Sequence, residues 1–117
     1  MAPGVYECPI EGKKLRTDRD AVDLIGEALN TRARIVVIPV ERLDEDFFRL
    51  RTGVAGAFIQ KFVQYHIKLL IVGDISAFVA ASTALRDFVY EANRGKDFWF
   101  VGTREEMERR LLNAADI

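Results

Sequence analysis

The 117-residue sequence predicts a single α/β domain. Its expected core is a mostly parallel sheet of four to five strands flanked by helices, in the order β-α-β-α-β-α-β-α. Three observations predict this. Arg34-Ile35-Val36-Val37-Ile38 and Lys68-Leu69-Leu70-Ile71-Val72 are continuous apolar runs rather than alternating ones, the pattern of strands covered on both faces. Apolar residues at helical spacing recur between the strand candidates. Thr17-x-x-Asp20 and Thr103-x-x-Glu106 have the form of capping boxes that open helices. Strands alternating with helices imply a parallel sheet with right-handed crossovers.

Val5 to Cys8 reads as a short first strand stopped by Pro9, whose ring cannot donate to a ladder. Asp18 to Asn30 follows as a helix, with Val22, Ile25, Ala28 and Leu29 at helical spacing. The second strand, Arg34 to Ile38, should lose pairing at Pro39. Glu41 to Thr52 is a charged connection anchored by Leu43, Phe47, Phe48 and Leu50. The second helix runs from about Gly53 to Tyr65 and turns Ala55, Phe58, Ile59, Phe62, Val63 and His66 to one face. Lys68 to Val72 is the central strand and ends in Gly73-Asp74. A third helix lies within Ser76 to Arg94, capped by Ser76 or Ser82 and stopped at Gly95. Asp97 to Val101 is the last strand. The final helix faces inward through Met107, Leu111 and Leu112.

Composition removes several function classes. Half the residues are apolar, 30% are charged and the formal net charge is -1, with no basic stripe, so nucleic acid is a poor expectation. One cysteine, Cys8, precludes an intramolecular disulfide; with no secretion signal at Met1-Ala2-Pro3-Gly4, a reducing cytoplasm is the expected location. No apolar run approaches the roughly 20 residues that span a bilayer. A single histidine, His66, and a single cysteine are poor material for a zinc site or a Cys–His nucleophile, so neither metal nor cofactor is expected.

Ligands of open parallel sheets gather at the carboxyl ends of strands and at the helix starts that follow. Two such junctions carry candidate binding residues. Arg51-Thr52-Gly53 could hold an anion at a helix start or present Thr52 for phosphorylation; equally, Thr52 caps the helix and Gly53 relieves a tight turn. Asp74 and Ser76 follow the central strand, where Asp74 could ligate a metal, act as a general base, pair with Arg51, or cap a helix or turn. Arg86 and Asp87 either join that edge or form a solvated face. Phe47 and Phe48 are candidate contacts, since adjacent residues of a strand point to opposite faces and one ring would be exposed. No catalytic residue is assigned.

Asp20-Ala21-Val22-Asp23-Leu24-Ile25-Gly26, Phe47-Phe48-x-Leu50-Arg51-Thr52-Gly53-x-Ala55-Gly56, Gln60-Lys61-Phe62, Ile71-Val72-Gly73-Asp74-Ile75-Ser76 and Ala84-Leu85-Arg86-Asp87-Phe88-Val89-Tyr90-Glu91-x-Asn93-Arg94-Gly95 resemble the bacterial family called domain of unknown function 4180. The resemblance spans nearly the whole chain and implies no activity. The order of elements is also similar to STAS domains, the sulfate-transporter and anti-sigma-factor-antagonist modules. Their regulatory members carry a phosphorylated serine in an Asp-Ser-Ser-Gly-like turn. Only Thr52, as a hydroxyl, and Gly53 match that turn here.

Two functions follow as expectations. The first is a small cytoplasmic regulatory or protein-interaction module that meets a protein partner at the edge formed by residues 47–56 and 73–76. The alternative is an enzyme or binder for a small anionic ligand held by Arg51, Thr52, Asp74 and Arg86. A homodimer through Phe47, Phe48 or Trp99 is a third, blander possibility, and neither membrane nor nucleic acid is an expected partner.

Overall fold

The computed structural model describes residues 4–115. Four strands, β1 (Val5–Glu7), β2 (Ile35–Pro39), β3 (Lys68–Val72) and β4 (Phe98–Val101), form one sheet in the order β1-β2-β3-β4. Every pairing is parallel. The helices are α1 (Asp18–Asn30), α2 (Val54–Gln64), α3 (Ser76–Ala81), α4 (Thr83–Arg94) and α5 (Arg104–Ala115). The expected α/β alternation is therefore present, with four strands.

Sequence order equals spatial order, so crossovers of one hand place their helices on one side of the sheet. Strand alternation confirms that placement. Val36, Ile38, Leu69, Ile71, Phe98 and Phe100 share a core with Ala21, Ile25 and Ala28 of α1, Phe58 and Phe62 of α2, and Leu85 of α4. The opposite residues, Val37, Leu70, Trp99 and Val101, pack instead against Met107 and Leu111 of α5. Both faces of β3 and β4 are thus buried, which is why these strands read as unbroken apolar runs.

Local chemistry sets the element boundaries. Thr17 accepts from the Asp20 amide at 3.1 Å, and the Asp20 carboxylate accepts from the Thr17 amide at 3.0 Å, completing the expected box. Asp20 also meets Lys13 at 2.8 Å. Burial alone would raise its pKa, but the Lys13 ammonium and the Arg16 and Thr17 amides outweigh that and hold it well below the usual carboxylate range. Both α1 and α2 end in a residue at positive φ, Arg32 at 59° and His66 at 58°. The amides that follow close back onto the helices, Ala33 onto Ala28 O at 2.8 Å and Ile67 onto Phe62 O at 3.0 Å.

The expected third helix is two helices. Ser82 is extended, and its hydroxyl accepts from the Leu85 amide at 3.1 Å, so it caps α4 and breaks the chain from α3. Pro39 pairs with Val72 as the last residue of β2, where its missing N–H costs little. Leu112 is 65% exposed rather than inward-facing; Met107 and Leu111 carry the inward face of α5. Val63 and His66 likewise leave the buried face of α2, which consists of Val54, Ala55, Phe58 and Phe62.

Trp99 fixes α5 to the sheet. Its indole N–H donates to Gly95 O at 2.7 Å, and the Lys68 ammonium and Arg110 guanidinium lie 3.5 and 3.8 Å from the ring centroid. Towards β1 this face opens into a hollow of about 390 Å³ floored by Val37, Pro39 and Val72. Arg104 at the start of α5 reaches across it to both carboxylate oxygens of Glu7.

Candidate functional site

The connection from β2 to α2 is built from three short 3-10 turns, Val40–Arg42, Glu45–Phe48 and Leu50–Thr52. Arg42 holds its start. Although buried, its guanidinium meets no carboxylate and donates instead to the carbonyls of Lys13, Pro9 and Glu11 at 3.0, 2.7 and 3.0 Å, and to the Cys8 sulfur at 3.3 Å. The loop after β1 therefore closes over Arg42, and a short bridge between Leu15 and Leu43 continues the contact. Gly12 is required in this loop, since at φ 139° a Cβ would lie 2.8 Å from the guanidinium carbon. Burial pushes the Cys8 thiol up, partly offset by Arg42, so Cys8 is a core thiol rather than a ready nucleophile.

Asp46 organises the second turn. It pairs with Arg16 at 3.1 Å and with Arg49 at 3.0 Å, and Arg49 also reaches Glu45 at 3.2 Å. Those guanidinium contacts, Arg49 first, hold the Asp46 carboxyl below its ordinary value. Phe47 and Phe48 are both buried, at 1% and 4% exposure, so neither ring projects into solvent, although Phe48 lines the groove beside α3. The expectation of one exposed ring assumed a strand, whereas a 3-10 turn projects successive side chains about 120° apart. Both rings therefore enter the core, Phe47 edge-on to Phe58 and Phe48 stacked on Phe78 with centroids 4.4 Å apart.

A groove of about 660 Å³ runs between this connection and α3, lined by Phe48 to Arg51 on one wall and by Ala77, Phe78, Ala81, Ser82 and Ala84 on the other. The small side chains keep it open; α3 buries none of its own residues. Arg51 stands on the rim, exposed, with no ion pair among the described residues.

The other predicted residues do not join it in one constellation. The Thr52 hydroxyl donates towards Arg49 O and Asp46 O at 2.8 and 2.9 Å and accepts from the Val54 amide at 3.2 Å, a local hydroxyl turn just before α2, whose N-cap is Gly53. Gly53 adopts φ 78°, the left-handed turn that leads into α2. Asp74 accepts from the Ser76 amide at 2.9 Å, and its hydrogen bonds from Ser76 keep its pKa below the ordinary value. It lines a separate, mostly apolar hollow of about 270 Å³ with Ser76, Val89 and Phe100. Arg86 and Asp87 are exposed on α4, 3.9 Å from each other, and line neither hollow. Trp99, the other ring considered for a dimer contact, is buried under α5. Among the described residues no group of three or more His, Cys, Asp or Glu side chains could hold a metal ion, and no helix is long and apolar enough to cross a membrane.

Comparison with known families adds one finding. The family model described as "Domain of unknown function (DUF4180)" matches residues 2–111. The chain belongs to the DUF4180 family. Neither the curated proteins nor the solved structures compared with it include a match.

In this DUF4180 chain the groove wall formed by Ala77, Ala81 and Ala84 escaped the sequence reading. The signal was present: Ala77 and Ala81 are four residues apart in Ser-Ala-Phe-Val-Ala-Ala-Ser, one small-residue face of a short helix. Alanine spacing alone does not separate a groove wall from an ordinary packing surface.

Proposed function

We propose that this DUF4180 protein is a small regulatory or protein-interaction module of STAS-like organisation, working in the bacterial cytoplasm. Its partner would present an apolar segment with an acidic residue, seated in the groove between Phe48–Arg51 and α3. The observation that carries this reading is the groove itself. Its base is the Phe48–Phe78 stack, its far wall is alanine, and its rim carries Arg51, which has no ion pair among the described residues. An apolar floor with a few placed polar groups is the usual form of a recognition site.

The alternative, an enzyme or binder for a small anion held by Arg51, Thr52, Asp74 and Arg86, has weaker support. Arg51 and Asp74 line different hollows, and the Thr52 hydroxyl is already engaged with the Arg49 carbonyl and the Val54 amide. A phosphate on Thr52, the switch that the STAS resemblance would offer, would displace those hydrogen bonds and unsettle the entry to α2.

The experiment is capture from cell lysate with the native protein, Arg51→Glu, Ala81→Arg and Arg86→Ala, each checked for an unchanged urea midpoint. A binder kept by the native protein and Arg86→Ala, but lost with both groove variants, supports the reading. Retention of the same binders by Arg51→Glu and Ala81→Arg would sink it.

A further inference from the structure

The opposite edge of the sheet carries a feature that the groove does not use. Because β2, β3 and β4 are consecutive parallel neighbours, the residues that lead into them lie side by side. The Lys68 amide donates to Arg34 O at 2.9 Å, and the Leu69 amide donates to Asp97 O at 3.0 Å. This register gathers Arg34, His66, Lys68 and Lys96 with Asp97 around one hollow of about 320 Å³. Arg34, Lys68, Lys96 and His66 line it with Asp97 as the one carboxylate, in a chain whose formal net charge is -1.

The cations are poorly neutralised. Arg34, Lys68 and Lys96 enter no ion pair among the described residues. Lys68 is half-buried beside Trp99, and its ammonium donates to the Lys96 carbonyl. Desolvation pushes its pKa down; Asp97 offsets part of this and the Arg110 guanidinium adds to it. Such a group gains from a nearby anion. His66 sits at the lip with φ 58°, a conformation at which glycine is the usual occupant.

We propose that this hollow binds a small polyanion, one carrying two or more negative charges on phosphate or carboxylate oxygens. The compass of the patch favours a small ligand over a nucleic acid or a lipid surface. The cations close around one hollow rather than running as a stripe, and extended polyanions need many contacts spread along a face.

Isothermal titration calorimetry with inorganic pyrophosphate and, separately, citrate, at fixed ionic strength set with chloride, tests the assignment. Arg34→Gln and Lys96→Gln remove exposed side chains and should leave the urea midpoint in place. Each should weaken binding by about fivefold, the effect of one partly screened charge contact. Binding of pyrophosphate alone would identify a phosphate ligand, citrate alone a carboxylate, and either would carry the proposal if both variants weaken it. Arg51→Glu should leave it unchanged, which separates this site from the groove. Absence of binding for both anions at millimolar concentration overturns the proposal. So does binding that survives the double variant, or binding confined to vesicles of anionic lipid.

Discussion

Replacing Gly73 by alanine probes how closely β3 leaves the sheet. Gly73 has φ 144°, and a Cβ built on it would lie 2.8 Å from Val40 Cγ2 and 2.9 Å from Val40 Cβ. Two costs add. Holding an L-residue in a sparsely populated backbone region costs about 1–3 kcal/mol. Forcing a methyl group into an occupied position costs a further ~1–3 kcal/mol. Gly53→Ala separates them: φ is 78° there, but nothing lies within 4 Å of the added Cβ, so only the backbone term applies. We expect Gly73→Ala to destabilise by roughly 3–4 kcal/mol and Gly53→Ala by about 1–2 kcal/mol. In urea unfolding followed by circular dichroism, both should shift the midpoint at constant slope, the first roughly twice as far. Equal shifts for the two variants would refute the argument, because they would mean that Val40 gives way without cost.

Two further predictions concern the loop after β1 and the start of α1. Arg42→Met should keep the fold but lose about 2–4 kcal/mol, since it leaves the carbonyls of Pro9, Glu11 and Lys13 without their donor; faster limited proteolysis between Glu11 and Lys14 would check it. Asp20 has a folded pKa below its ordinary 3.8, so its stabilisation is complete above that value and is lost as pH falls below it; Asp20→Asn should cost about 1–2 kcal/mol at neutral pH and flatten the urea-midpoint profile below pH 3.8.

The sheet and most helices were legible because their signals are local. The capping box at Thr17 and the unbroken run from Lys68 to Val72 fall where the elements begin and end, since α1 covers Asp18–Asn30 and β3 covers Lys68–Val72. The split at Ser82 was only half legible: serine reads equally as the cap of one helix or as a tolerated residue inside a longer one. The Phe47-Phe48 pair was misread because the argument assumed strand geometry in a segment that forms 3-10 turns. Arg42 had no local signature at all. Its partners lie 29 to 34 residues away, and a lone arginine in a charged stretch reads as solvated.

The candidate residues fared differently for the same reason. Thr52, Asp74 and Ser76 are polar groups at helix starts, where the Thr52 and Asp74 side chains each accept from the amide two residues on. Spacing reveals that a helix begins but not whether its amides face a side chain or a ligand. The basic hollow at Arg34, His66, Lys68 and Lys96 was invisible because its members stand on three different strand entries. Only the pairing register of β2, β3 and β4 brings them together.

The sequential strand order also bears on how the chain acquires its shape. Parallel sheets usually need distant segments to meet before any pairing forms, which makes them slow to assemble. Here each strand pairs with the next one along the chain, and a single crossover closes every contact. The sheet can therefore grow strand by strand from the amino terminus, as the ribosome releases each β-α unit. At each intermediate stage one open edge is the one that the next strand will cover, and the other is that of β1. The helix α5, which seals the face beneath Leu70 and Trp99, follows the last strand of the sheet. Until α5 docks, Leu70 and Trp99 have no helix over them.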